Sequence, residues 1–400
     1  MNIQCLRCKG RNFCARPVCP IQYKISSQKK LNLELKQNFF GEAPNIFVGK
    51  FGYPNISVGI LGTEQYNHHD EPLHWSANNY QVQDVIDLRS ALVNSAFIAN
   101  VKSFKDKFLD ISREVSMASK PVDVEISLNK KPYFNLSFNQ DVMPHGPKVK
   151  LEKAEITGNP HIPTKIDKAV SAYDLKAEDA MSYLNKSGYD EHYLTRLLSA
   201  GNLGVKTQRK LVPTRWAITA TDDMLFRHII HKVKEFQDTS YYVYFGGYLG
   251  NYYLMLFFPG IFSYELFETY AGNGEGKGMF STDYENFSGR KNYAENTAGG
   301  YYAARLAVAE KMFSMKRKGS CLCLRFITDE YWAPLGVWVV RQAARKSLMS
   351  KPIEFSSKEL MIEYARKLVN KKFGCEIGSL IGQSRLLRDM RLQSRLSAFI

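Results

Sequence analysis

No stretch of this 400-residue chain is apolar for long enough to cross a bilayer. The richest run, Tyr252 to Phe258, is cut by Pro259-Gly260, far short of the roughly 20 residues a spanning helix needs. No apolar secretory leader is expected, because the N-terminus is polar and crowded with cysteine. No G-x-x-x-x-G-K-S/T occurs, which excludes a Walker-type phosphate loop. The glycine-rich Gly272 to Gly278 reads instead as a solvated hairpin turn. Cysteine is scarce beyond the N-terminus: of seven, Cys321, Cys323 and Cys375 belong to no motif. Cys321 and Cys323 alternate with Leu322 and Leu324 as a buried strand would. These absences predict a protein of the reducing cytoplasm with no membrane partner.

The other four cysteines, Cys5, Cys8, Cys14 and Cys19, lie within the first twenty residues. A C-x-x-C pair followed closely by two more cysteines suits tetrahedral zinc. The segment is too short for an apolar core, so the metal would supply its folding energy, roughly 10–16 kcal/mol for structural zinc. Four filled positions leave none open, which makes the expected zinc structural rather than catalytic. An iron–sulfur cluster is compatible with the spacing. Disulfides suit secreted chains instead. Arg7, Lys9, Arg11 and Arg16 in the same loop fit contact with a phosphate backbone or an acidic partner.

Composition bounds the rest. Hydrophobic content of 44% with 13% aromatics supports a packed interior, and 23% charged residues argues against disorder. The net charge of +15 favours an anionic partner, nucleic acid above all. The pattern predicts an α+β fold, a mixed sheet-and-helix body with an N-terminal C4 zinc knuckle and a C-terminal peptide tail. The expected divisions are a knuckle at 1–24, an N-terminal α/β region at 25–258, a helix-rich region at 259–382 and a tail at 383–400.

Along that body, Ile46-Phe47-Val48 and Ile56 to Leu61 flank Phe51-Gly52-Tyr53-Pro54-Asn55 as a hairpin. Asn67 to Trp75 (Asn-His-His-Asp-Glu-Pro-Leu-His-Trp) is rich in metal-ligating types. Its spacing matches no familiar metal motif, and it is expected to be a loop of satisfied surface histidines. Val82 to Phe97 has helical spacing, Val122 to Leu128 alternates as a strand, and the proline-marked 144–163 reads as loop. Two helices are expected over Ala172 to Leu198 with a break at Gly188. Leu211 to Asp223 reads as a short strand ending at Thr221-Asp222-Asp223, which caps a helix from Met224 or presents a carboxylate pair to a metal or substrate. Tyr241 to Phe258 reads as a hairpin and Ser320 to Ile327 as a strand. Helices are expected over Trp332 to Arg345 and Ser356 to Lys371. Gly299-Gly300 opens an alanine-rich helix whose first N–H groups, with Thr297 as cap, suit a phosphate.

At the C-terminus, Gln393, Leu396, Phe399 and Ile400 follow the order Gln-x-x-aliphatic-x-x-bulky-bulky, by which tails dock on sliding clamps. The glutamine enters a polar pocket, and one helical turn carries the apolar residues together. A basic amphipathic helix packed on the body is the alternative for this segment.

The four-cysteine loop, Val212-Pro213-Thr214-Arg215-Trp216 through Asp222-Asp223, Ala298 to Leu306, Tyr331 to Trp338 and the tail together resemble archaeal NreA-type DNA repair proteins. The resemblance spans essentially the whole chain. It implies a role in DNA damage repair, a zinc site at Cys5, Cys8, Cys14 and Cys19, and clamp (PCNA) binding through Gln393, Leu396, Phe399 and Ile400. Ile400 departs from the aromatic usual at that position. The expected function is recruitment to the clamp and binding of DNA or a repair intermediate. The alternative is an enzyme acting on a nucleotide or nucleic acid through Arg215, Asp222, Asp223, Arg305 and Glu310, with a nucleotide as ligand.

Overall fold

The computed structural model describes residues 19, 22, 23, 26, 35–103, 105–133, 146–271 and 279–392. Cys5, Cys8, Cys14, the Gly272–Gly278 turn and the clamp motif Gln393, Leu396, Phe399 and Ile400 lie outside the described residues; Cys19 lies within them and is buried. The fold is mixed helix and sheet, as expected. It divides into two units, one running to Leu225 and including Trp332–Leu335, the other formed by Phe226–Tyr331 and the chain from Gly336 onward.

The first unit is built on a closed barrel of β1 (Asn38–Val48), β2 (Asn55–Thr63), β3 (Val93–Asn100), β4 (Val122–Leu128) and β5 (Lys148–Ile156), in the order β1-β2-β3-β5-β4. β3 and β5 pair in parallel and every other pair is antiparallel. Between β2 and β3 lie α1 (Pro72–Ala77) and α2 (Val82–Ala91); between β3 and β4 lies α3 (Lys107–Met117). This five-stranded Greek-key order, with a helix between the third and fourth strands, is that of the OB-fold. Alternation makes the barrel: in β4, Val122, Val124, Ile126 and Leu128 are buried while Asp123 and Glu125 face outward. Ile56, Val58 and Ile60 of β2 meet them in one core with Leu109 and Val115 of α3. Each fully buried aliphatic contributes about 1.5–3 kcal/mol. Asp106 starts α3 by accepting from the amides of Phe108 and Leu109.

The unit continues through α4 (Thr164–Ser171), α5 (Ala177–Lys186) and α6 (Glu191–Ser199), and α7 (Thr214–Val233) carries the chain into the second unit. The predicted break at Gly188 is present, with φ of 95°. Three expectations fail here. Val93 to Phe97 is strand rather than helix, because Val93, Phe97 and Ala99 turn into the barrel core. Residues 148–156 are strand rather than loop; Val149, Leu151 and Ala154 alternate inward between flanking prolines. Thr214 to Asp223 is helix rather than strand. Ala217, Thr221 and Leu225 are buried at intervals of four, so Thr221 and Asp222 lie mid-helix and cap nothing.

The second unit centres on a six-stranded sheet of order β10-β9-β12-β8-β7-β13. Its strands are β7 (Tyr241–Tyr248), β8 (Asn251–Phe258), β9 (Ser263–Tyr270), β10 (Phe280–Glu285), β12 (Ser320–Ile327) and β13 (Ile353–Phe355); the short β6 (Gln237–Asp238) and β11 (Arg317–Lys318) pair separately. The predicted β7–β8 hairpin turns through Leu249 and Gly250, whose φ values of 50° and 69° suit a two-residue turn. Helix α8 (Ala298–Met315) packs on α9 (Val337–Met349), which lies on β7 and β8. Helices α10 (Lys358–Phe373), α11 (Gly378–Gln383) and α12 (Arg385–Leu392) form one core with Leu254, Leu256, Leu322, Leu324 and Phe326. α9 starts later than expected, after Gly336 at φ 103°, and Ser357 caps α10 by accepting from the Leu360 amide. Cys321 and Cys323 are fully buried in β12, and burial pushes both thiols up.

Helix α12 holds the first part of the predicted tail on the body. Leu386 and Leu387 are buried, and Glu265 of β9 closes the helix start. Its carboxylate accepts from Ser384 Oγ at 2.5 Å and from the amides of Arg385 and Leu386 at 3.0 Å each. Burial raises the Glu265 carboxyl, and these hydrogen bonds lower it without cancelling that rise. A carboxyl raised in the folded state stabilises below the ordinary glutamate range and loses that contribution as pH climbs through the raised value. The stability difference between wild type and Glu265→Gln is therefore expected to be largest in mild acid and to shrink with rising pH in urea unfolding. A difference that grows with pH contradicts this. Glu265→Ala is expected to cost about 1–3 kcal/mol, with hydrogen exchange accelerated at 385–392.

Candidate functional site

One region of the first unit gathers polar chemistry that the barrel itself does not need. β1 carries an irregularity between Glu42 and Asn45, where its pairing shifts from β4 to β2. At that bend Pro44 and Asn45 meet the insertion between β2 and β3. Asn45 Nδ2 donates to Asp70 at 2.5 Å, His192 Nε2 lies 3.0 Å from the same carboxylate, and Arg89 Nη2 donates to its other oxygen at 2.7 Å. Asp70 is 8% exposed, so the anion sits in a setting that disfavours charge. Burial pushes its carboxyl up, but His192 and Arg89 outweigh burial, and it stays well below the usual aspartate range. Helix α6 closes the other side. Arg196 donates to the carbonyl oxygens of Pro44, at 2.9 Å, and of Ala118, and lies 4.0 Å over the Tyr193 ring.

Between these groups is a cavity of about 230 Å³, lined among others by Tyr66, Asp70, Glu71, His74, Lys120 and His192. The predicted surface histidines are organised around it. Trp75 is fully buried, its Nε1 donates to the His68 carbonyl at 2.7 Å, and Arg89 lies 5.1 Å over its ring. His69 is buried and accepts from the Asn67 amide at 2.8 Å; burial lowers it to about 4, so it stays neutral at neutral pH. His68, Glu71 and His74 are half-buried, and their ligand atoms all lie within 4.8 Å of one another. His68 and His69 are hydrogen-bonded, as expected of satisfied histidines, but His69 is buried rather than on the surface, and the helix that opens at Pro72 brings His74 beside His68 and Glu71.

A second feature is the barrel's outer surface. The β1–β2 turn exposes Phe51 (82%) and Tyr53 (48%), with Lys50 Nζ 5.0 Å over the Phe51 ring and Trp216 6.0 Å from Tyr53. Outward on β2 and β3 lie Ser57 opposite Ile98 and Asn55 opposite Asn100; Ile98 is 68% exposed. Lys102 follows β3, Lys148 and Lys150 lie on the neighbouring β5, and Lys130, Lys131 and Tyr133 are exposed on the β4–β5 connection.

The residues singled out from the sequence are placed otherwise. Arg215 is exposed on the first turn of α7, Asp222 is fully buried and Asp223 half-buried, all in the first unit. Arg305 and Glu310 belong to the second unit. There Arg305 Nη1 pairs with buried Glu285 at 2.7 Å and its guanidinium lies 3.8 Å from the Phe226 ring, while Glu310 holds Arg345 through contacts of 2.7 and 2.9 Å. The start of α8, expected to suit a phosphate, is already served by carboxylates. Asp283 accepts from the Thr297 amide and hydroxyl at 2.8 and 2.9 Å, and a side chain at Gly300 would come within 2.5 Å of Glu268.

Asp70→Ala is expected to cost about 3–5 kcal/mol in thermal or urea unfolding, since it leaves Arg89 and Asn45 facing a site built for an anion. Asp222→Ala is expected to leave the Asp70 cavity intact; a loss of histidine resonances there in Asp222→Ala would contradict that separation.

The sequence can be set beside known proteins. The family model described as Archaeal Nre, N-terminal matches residues 13–274, and that described as Archaeal Nre, C-terminal matches residues 285–399. The protein named DNA repair protein NreA from Haloferax volcanii is 36% identical over 321 residues, 76% of each chain. From Archaeoglobus fulgidus, DNA repair protein NreB is 33% identical over 97% of this chain and 98% of its own, and DNA repair protein NreA is 31% identical over 93% and 96%. No solved structure matches. With both halves matched and relatives covered nearly end to end, the chain belongs to the archaeal Nre family.

Proposed function

We propose that this protein acts in DNA repair by holding single-stranded DNA on the outer face of its N-terminal barrel while its C-terminal tail docks on the sliding clamp. The repair role is supported by the names of the relatives. The observation that carries the binding mode is the barrel: its OB order presents the face of β2 and β3 and the β1–β2 and β4–β5 connections, the surfaces such barrels use for oligonucleotides. On this chain those surfaces carry exposed aromatics beside lysines. An aromatic stacks on any base and a lysine follows any phosphate, so the expected binding is sequence-tolerant and salt-sensitive. The net charge of +15 supports an anionic partner.

The clamp motif Gln393, Leu396, Phe399 and Ile400 begins directly after α12, which ends at Leu392. A tether of this kind raises local concentration, so neither contact has to be tight alone. The four cysteines would hold a structural zinc; four thiolates fill its tetrahedron and fix the basic N-terminal loop. Metal removal by a chelator is expected to unfold that loop and to spare the barrel.

Fluorescence anisotropy with a labelled single-stranded oligonucleotide tests the reading. Phe51→Ala and Tyr53→Ala are each expected to weaken binding about 5- to 150-fold, from about 1–3 kcal/mol per stacked base. No salt-sensitive binding by the wild type, or variants equal to it, would remove the proposal. Deleting residues 393–400 is expected to abolish clamp binding in a pull-down and to leave oligonucleotide affinity unchanged. Retained clamp binding would refute the tail assignment alone.

A further inference from the structure

We propose that His68, Glu71 and His74 form a second metal site, which takes one zinc-class divalent ion and leaves a coordination position open to the Asp70 cavity. Its residues are other than the four cysteines and the residues of the strand-binding face, and the proposal rests on neither.

The first ground is convergence. The three donors recur at three-residue intervals across the start of α1, and their ligand atoms lie within 4.8 Å of one another. Donors around a tetrahedral zinc, with bonds of about 2.0–2.1 Å, stand about 3.3 Å apart. Closure therefore asks for side-chain movement of about 1.5 Å or less. His68 and Glu71 have side-chain exposures of 41% and 40%, which leaves them room to move. The His68 and His74 rings stack with centroids 3.7 Å apart and planes at 5°. A modest rotation about each Cβ–Cγ bond splays that stack and aims one nitrogen of each ring at a common point.

The second ground is support. Glu71 uses one carboxylate oxygen to accept from Tyr66 Oη at 2.6 Å and turns the other toward His68 Nδ1 at 2.7 Å. A metal entering here takes over the second oxygen and leaves the tyrosine to orient the carboxylate, as outer partners of metal ligands do. The backbone at His68 is fixed by Trp75 and bent through a φ of 51°, a conformation a histidine rarely keeps without support. Two imidazoles and one carboxylate suit zinc and its neighbours; magnesium and calcium prefer oxygen alone.

The third ground is the opening. Glu71 and His74 line the cavity together with Asp70, Lys120, His192 and Arg196. Three protein ligands beside an accessible cavity is the arrangement of a zinc that keeps its fourth position for water or a ligand. Lys120 and Arg196 favour an anionic oxygen donor there, phosphate being the simplest.

Cobalt(II) titration of the full-length protein separates the two metal sites, because thiolate coordination gives sulfur-to-cobalt charge-transfer absorption and a two-histidine, one-carboxylate site does not. The expected result is one equivalent with thiolate absorption and a second without it. His68→Ala/His74→Ala should abolish only the second, and Tyr66→Phe should weaken it about 10- to 100-fold. Glu71→Gln, which keeps size and shape, covers the case in which the double variant fails to fold. Inorganic phosphate should perturb the second spectrum alone. A wild-type titration without a thiolate-free equivalent, or one in which that equivalent survives intact in Glu71→Gln and the double variant, overturns the proposal.

Discussion

A single strand has to serve both halves of the barrel. β1 pairs with β4 over Asn38–Ala43 and with β2 at Glu42 and from Asn45 to Val48, so the sheet closes only because β1 bends at the register shift between Glu42 and Asn45. A straight β1 would leave an open edge and a half-exposed core. At the bend Pro44 lines the polar cavity, and the next residue, Asn45, donates to the Asp70 carboxylate on the cavity wall. The constraint that completes the core thus creates the place where the β2–β3 insertion and α6 can attach. Asp70 secures that attachment: one carboxylate reaches the insertion through Arg89, the barrel through Asn45 and α6 through His192.

The two surfaces of the first unit follow different physical rules. The cavity is walled by directed polar contacts. Its Asp70 is paired with Arg89 and His192, its tryptophan is buried, and Trp75 fixes the His68 backbone. The outer face is open, with aromatics and lysines standing in solvent where a flexible strand can settle on them. Buried networks of the first kind suit one ion or one small anion; exposed platforms of the second suit a polymer with many equivalent registers. In the second unit some buried charges are committed to structure, as Arg305 with Glu285 and Arg325 with Glu268 show.

Much of this was legible in the sequence where a local rule held. The alternation of Val122 to Leu128, the break at Gly188 and the hairpin around Gly250 are all short-range signals, and each is present. Failures arose where the deciding contact was distant. β3 reads Val-Asn-Ser-Ala-Phe-Ile-Ala-Asn, and only its partners on either side show which residues face the core. Thr and Ile in Thr214 to Asp223 suggested strand, but burial at four-residue intervals made helix. The histidine group was hidden by Pro72, which looked like a loop residue and instead opens a helix. Asn45, Asp70, Arg89 and His192 come from four separate segments, and no local pattern joins them.

The central claim is that the barrel's β2–β3 face is where nucleic acid rests. Ultraviolet cross-linking of the intact protein to a single-stranded oligonucleotide, with the adducts mapped by mass spectrometry, tests it directly. Adducts are expected at Phe51, Tyr53 and the neighbouring positions of β2, β3 and the β4–β5 connection. Adducts confined to the second unit, with none on these surfaces, would contradict the account.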